Sequence, residues 1–137
     1  MSEADIRAVI EQRRRALHDR HAAAFLATYA ADAVIYDLSP PLAHGLDPDG
    51  VAAWMASWDG PIGNETRDVA VTLAGPVAIA HGLERLAGRQ GGEPRDIWLR
   101  FTLVLERSGD GWRVVHEHSS VPFRKGTQLV AATDLTP

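Results

Sequence analysis

The sequence predicts an α+β fold in which N-terminal helices gather on one side of a curved antiparallel sheet. Three observations carry that prediction. Apolar residues fall at helical spacing up to Gly60. Beyond Asn64 the spacing changes to period two. Four such segments then follow one another, with glycine-bearing turns between them.

Each element has a local reason. Ser2 with Asp5 resembles a capping box, and Ile6, Val9, Ile10 and Leu17 share one helical face. Arg13 lies on that face, while Arg14 and Arg15 point away. A break at Asp19-Arg20 precedes a second helix striped by Ala22, Phe25, Leu26 and Tyr29. Ala33 to Leu38 reads as a strand ended by Ser39-Pro40-Pro41. Asp47-Pro48-Asp49 opens a third helix with an N-cap, a first-position proline and first-turn negative charge. It carries Val51, Trp54, Met55 and Trp58, and Gly60-Pro61 stops it. Val69, Val71 and Leu73 alternate up to Gly75-Pro76, and Val77 to Leu86 continue as a second long strand. A loose Gly88-to-Pro94 connection leads to a third, with Ile97, Leu99, Phe101, Leu103 and Leu105 on its apolar face. Ser108-Gly109-Asp110-Gly111 turns the chain into the last strand.

The 137 residues amount to one domain, 1–137, and are enough to bury a core. With 45% hydrophobic and 23% charged residues the composition is globular. A net charge of -4 and no basic stripe argue against nucleic acid as a partner. No apolar run approaches the roughly 20 residues of a membrane span. The acidic N-terminus is unlike a signal peptide, so the expected location is the cytoplasm. Zero cysteines exclude disulfides, thiolate metal sites and a cysteine nucleophile.

The last strand is the most informative. By strict alternation Trp112, Val114, His116, His118 and Ser120 share one side, and Arg113, Val115, Glu117 and Ser119 the other. The first face begins apolar and ends in two imidazoles and a hydroxyl, which reads as the wall of a pocket. Imidazoles there suit acid/base work or hydrogen-bond donation. Metal ligation by His116 and His118 lacks a third ligand in sequence, so no metal is expected. Simple pocket lining is the bland alternative. Asp37, after three apolar residues at a strand end, suits a carboxylate at a pocket mouth; a solvated turn aspartate is the alternative. Arg13 on an apolar face is either a buried clamp, which then requires a partner such as Asp37 or an anionic ligand, or it snorkels to solvent. Tyr29, Trp54 and Trp58 fit core or pocket wall. His44 and His81 read as surface or structural residues, and His18 and His21 as caps of the interhelix break.

The element order, the segment Ala27-Thr28-Tyr29-Ala30-Ala31-Asp32-Ala33-Val34-Ile35-Tyr36-Asp37, and the last strand with Trp112, His116, His118 and Ser120 resemble the ketosteroid isomerase/nuclear transport factor 2 (NTF2)-like superfamily. The ending, from Ser120-Val121-Pro122-Phe123 to Asp134-Leu135-Thr136-Pro137, is most similar to SnoaL-like bacterial proteins. The resemblance implies a cone-shaped NTF2-like fold with a deep pocket. It places the family's catalytic base on Asp37. The enolate-stabilising phenol falls on Arg13, and the second acid falls near Ile97, with Asp96 the nearest carboxylate. It also implies that the sheet surface bearing Trp98, Arg100 and Thr102 joins two copies as a homodimer.

The resulting expectation is a cofactor-independent isomerase, cyclase or lyase acting on a small hydrophobic carbonyl compound. Asp37 would abstract the proton; His118 or Arg13 would steady the enolate, with His116 in support. Arg13, Tyr29, Trp54, Trp58 and Ser120 would contact substrate. The alternative is a non-catalytic ligand-binding or dimerisation module with the same pocket, which the missing tyrosine and second acid favour. A metal-dependent hydrolase or oxygenase on His116 and His118 is the third reading.

Overall fold

The computed structural model describes residues 2–109 and 111–137. Helix α1 (Glu3–His18) begins where the Ser2 N–H donates to Asp5 Oδ2 at 2.8 Å. Its inner face is Ile6, Ile10, Arg13, Ala16 and Leu17. Helix α2 (Ala22–Leu26) is a short piece capped by His21, whose Nδ1 accepts from Ala24 N–H at 3.1 Å. It ends before Tyr29, which instead starts strand β1 (Tyr29–Tyr36). Helix α3 (Pro48–Ala56) is capped by the Asp47 carboxylate on Gly50 N–H.

The four period-two segments are β2 (Gly63–Ala74), β3 (Val77–Gln90), β4 (Glu93–Ser108) and β5 (Gly111–Ser120). They form one sheet in the order β1-β5-β4-β3-β2, antiparallel except for the parallel β1-β5 pair. The sheet is curved, unclosed and packed around the N-terminal helices. Two short strands, β6 (Phe123–Arg124) and β7 (Val130–Ala131), pair near the C-terminus. Among the described residues no helix is long and apolar enough to cross a membrane.

The loose connection expected after Gly88 is tighter than that. β3 runs to Gln90 and turns through Gly91 (φ 57°) and Gly92 (φ 82°), the left-handed pair that matches strand twist in a two-residue hairpin. The turn expected over Ser108 to Gly111 includes Asp110, which lies outside the described residues.

The larger correction concerns β5. Leu105 pairs with Val114 but Val104 pairs with His116, so Val115 is an extra residue, a β-bulge. Because side chains alternate, one extra residue exchanges the faces beyond it. Trp112 and Val114 are buried, and so is Glu117, whereas His118 is exposed. The expected shared face of Trp112, Val114, His116, His118 and Ser120 is therefore split: the last three point outward. β2 repeats the device. Arg67 pairs with Leu83 and Ala70 with His81, so Asp68 (φ 56°) and Val69 together oppose Gly82.

The main core joins α1 to the sheet through Ile6, Ile10, Leu103, Leu105, Trp112 and Val114. A smaller cluster of Leu17, Met55, Trp58 and Ile62 fastens α3 to α1. The C-terminus of α3 is also tied to the β3-β4 hairpin, with Asp59 N–H donating to Arg89 O at 2.9 Å and Gln90 Nε2 to Ser57 Oγ at 2.8 Å. These ties hold α3 over the concave sheet and leave a space beneath it.

Candidate active site

That space is a mainly apolar cavity of about 420 Å³. Phe25, Ile35, Trp54, Trp58, Ile97 and Leu99 supply much of its wall. The two tryptophans, four residues apart on α3 and just beyond it, meet edge to face at 5.7 Å. Trp58 is buried with no acceptor for its Nε1, while Trp54 is 38% exposed.

The deep end is polar. Arg13 rises from the apolar face of α1 and is buried, resolving the choice between clamp and snorkel. Its Nη2 contacts Glu117 Oε1 at 2.5 Å, and its Nε donates to the Tyr29 hydroxyl at 2.8 Å. Tyr29 in turn donates to the same Glu117 Oε1 at 2.8 Å. Arg13 Nη1 lies 3.6 Å from Glu84 Oε2, and Glu84 Oε1 accepts from Asn64 Nδ2 at 2.9 Å. The guanidinium also sits over the Phe25 ring, 5.1 Å from its centre. Burial works against the Arg13 charge, but Glu117, Tyr29 and Glu84 outweigh it and hold its proton affinity well above the usual value. Burial, with Glu117 adding to it, pushes the Tyr29 phenol well above its usual range against the pull of Arg13.

The mouth carries a second pair. Asp37, just past β1, lines the cavity with its side chain 50% exposed. Its Oδ1 accepts from Leu38 N–H at 2.7 Å, and its Oδ2 lies 3.8 Å from His44 Nε2. His44 is held there by a two-bond backbone bridge to Ile35 (2.8 and 3.0 Å). Its Nδ1 is 2.7 Å from Gly45 O, a contact that requires a proton on Nδ1 and leaves Nε2 to face Asp37.

Of the residues expected at the site, Arg13, Tyr29, Asp37, Trp54 and Trp58 line one cavity. His116, His118 and Ser120 do not, because the bulge at Val115 turns them to the outer face. There the Tyr36 ring meets His116 at 4.7 Å and His118 at 5.5 Å, and Ser120 accepts from Arg100 Nε at 3.1 Å. Asp96, the nearest acid to Ile97, is also outside, held by Arg85 at 2.8 Å. Ile97 itself lines the cavity. Glu117 and Ser119 take the inward positions assigned to the histidines, and Glu84 and His44 join them. Glu84 had a readable signal, since Ala78, Ala80, Gly82, Glu84 and Leu86 alternate along the inner face of β3. Glu117 had none, because nothing in Val114-Val115-His116 announces a bulge. Among the described residues no cluster of three His, Asp or Glu side chains is arranged to hold a metal ion.

Comparison with known proteins agrees with this architecture. The family model of the SnoaL-like domain matches residues 6–124. An NTF2-like protein of unknown function from Pseudomonas putida KT2440 is 34% identical, with a TM-score of 0.84 over 98% of this chain and 96% of that one. A candidate dehydratase of the NTF2-like family from Streptomyces avermitilis shares the fold at 18% identity, with a TM-score of 0.76 over 85% and 93% of the two chains. A candidate ketosteroid isomerase from Shewanella frigidimarina does so at 21%, with a TM-score of 0.65 over 82% and 92%. Among curated proteins none matches. A family model spanning most of the chain, together with a full-length relative of the same shape, places this protein in the SnoaL-like domain family of the ketosteroid isomerase/NTF2-like superfamily.

Proposed function

We propose that the protein is a proton-transfer enzyme of the isomerase, cyclase or lyase kind, acting on a small hydrophobic carbonyl compound without a cofactor. One observation carries the reading: a carboxylate and an imidazole with a fixed tautomer lie 3.8 Å apart at the mouth of a largely apolar cavity. The substrate's apolar body lies against Trp54, Trp58 and Phe25. Asp37 takes the proton from the carbon next to the carbonyl, and the electron pair of that C–H bond moves to the carbonyl oxygen. His44, when a second proton on Nε2 makes it the imidazolium, donates to that oxygen, so that acid and base act on one substrate from one side. His116 and His118 have no part in this, and Arg13, bonded to Glu117 and Tyr29, holds the deep end of the cavity in shape.

The test needs no knowledge of the natural substrate. Small hydrophobic ketones are incubated with the protein in deuterium oxide, and loss of the α-proton signals is followed by NMR. Exchange above the buffer rate that Asp37→Asn abolishes and His44→Gln reduces supports the reading. If no ketone exchanges faster than in buffer, the reading falls. The half exposure of Asp37 favours the other account, a binding module that holds ligand in the same cavity without turnover.

For the outer sheet face the proposed partner is a second copy of the chain. Register places Val34, His116, Val104 and Ile79 in one row and Tyr36, His118, Thr102 and His81 in the next. Val34, Tyr36 and Ile79 remain 44%, 41% and 43% exposed, an apolar strip of the kind that a contact between copies covers.

A further inference from the structure

We infer that the deep end of the cavity is built to receive a protonated amine, so that the ligand is an apolar molecule ending in an ammonium group. The inference rests on reading this cavity as the substrate site and names the chemistry of the substrate's inner end.

The charge balance comes first. Two carboxylates, Glu84 and Glu117, and one guanidinium, Arg13, meet where the side chains are 5%, 8% and 10% exposed. The cluster therefore carries one uncompensated negative charge in a site largely withdrawn from water, where unpaired charge is costly. The remaining charged groups of the lining do not reverse the sign: Asp37 and Asp47 stand against Arg95 alone.

Hydrogen bonding says where the missing positive charge belongs. Both contacts to Glu117 fall on Oε1, from Arg13 and from Tyr29. Asn64 takes Glu84 Oε1, and the 3.6 Å from Arg13 Nη1 to Glu84 Oε2 is outside hydrogen-bond range. Among the described residues nothing donates to Oε2 of either glutamate, although both side chains are more than nine-tenths buried and line the cavity. An ammonium group brings three donors and one positive charge, so it satisfies both oxygens and neutralises the cluster at once. The wall fits the same occupant: Phe25, Trp54 and Trp58 line this cavity, and aromatic faces attract cations as well as apolar bodies. A carboxylate ligand is disfavoured, because Arg13 is already committed to Glu117 and Tyr29 and two acids would face the newcomer.

Calorimetric titration at pH 7 and low salt tests this with three probes sharing one ring and chain: 2-phenylethylamine, 2-phenylethanol and phenylacetate. The expected order is amine over alcohol by at least about tenfold, with no measurable binding of the carboxylate. Glu84→Gln is expected to weaken the amine about tenfold while leaving the alcohol within about threefold. Glu117→Gln serves as the second variant, with circular dichroism confirming that each is folded. The inference is overturned if the carboxylate binds as well as the amine, if the alcohol matches the amine, if no probe binds, or if amine affinity survives both substitutions. Calorimetry reads binding without turnover, so this inference and the deuterium-exchange reading stand or fall separately.

Discussion

Replacing Arg13 by methionine tests whether the polar cluster is as buried and as interdependent as its geometry says. Methionine keeps most of the stem's volume and removes the charge. Glu117 then loses its 2.5 Å cation but keeps Tyr29, and Glu84 keeps Asn64. Two carboxylates at 4% and 6% exposure are left with no counter-charge. Removing one partner of a buried pair costs about 3–5 kcal/mol. Against a stability of about 5–15 kcal/mol for an ordinary domain, that is about a fifth of the total or more. The internal control is Arg85, which bonds Asp96 and Glu65 on the surface with its own side chain 38% exposed; Arg85→Met is expected to leave the urea midpoint close to that of the unsubstituted protein. Urea unfolding followed by tryptophan fluorescence measures both, at equal m-values. An Arg13→Met cost below about 1 kcal/mol, indistinguishable from Arg85→Met, would refute the reasoning.

Other outcomes follow from other contacts. The raised proton affinity of the Tyr29 phenol makes stability present below about pH 10 and lost as the pH climbs beyond it, because the unfolded chain ionises first; Tyr29→Phe lacks that component in alkaline urea titrations. His118→Ala, on the outer face, should leave stability within about 0.5 kcal/mol and ketone exchange unchanged, and a large loss of exchange would return the histidine to the site. Gly82→Ala should cost about 1–3 kcal/mol by thermal unfolding, since an added Cβ would lie 3.0 Å from Val69 Cγ2 and 3.1 Å from Arg67 O. Light scattering should give twice the chain mass, and Tyr36→Glu, which sets a charge in the exposed strip, should return the single-chain mass.

The architecture was legible because periodicity survives local irregularity. Ile6, Ile10 and Leu17 spaced along one face, and Leu99 to Leu105 alternating, describe α1 and β4 whatever happens elsewhere. The site was legible only where a residue broke its own pattern. Arg13 among apolar neighbours demanded a partner, and Asp37 stood where an apolar strand ended. The identity of that partner was not legible. Its choice depends on one extra residue at Val115, and a bulge is a property of the pairing between two strands rather than of either segment. Strict alternation then assigned His116, His118 and Ser120 to the cavity and Glu117 and Ser119 to the outside, with every position wrong for the same reason. His44 was missed differently. It lies in a loop with no periodic signal, and only the backbone bridge to Ile35 brings it beside Asp37.

The bulges also explain how one sheet provides both a core and a site. A strand with unbroken alternation presents one inner face along its whole length. In β5 the inner face before Val115 is Trp112 and Val114, which pack with Ile6 and Ile10 in the main core. After Val115 it is Glu117 and Ser119, which line the cavity. Bulges bend and twist the strand that carries them, so the change of face goes with a local bend in β5. The same extra residue that moves the histidines out brings Glu117 opposite Ile35 and Leu103 and within reach of Arg13. Deleting Val115 would therefore remove the bulge without exchanging the faces. Leu105–Val114, Val104–His116 and Leu103–Glu117 would become consecutive pairs of an unbroken ladder, with Glu117 still inward and the imidazoles outward. A deletion variant that kept wild-type stability and ligand binding would show that the inward placing of Glu117 suffices, whereas loss of ligand binding in a folded variant would show that the site also depends on the bend that the extra residue gives the strand.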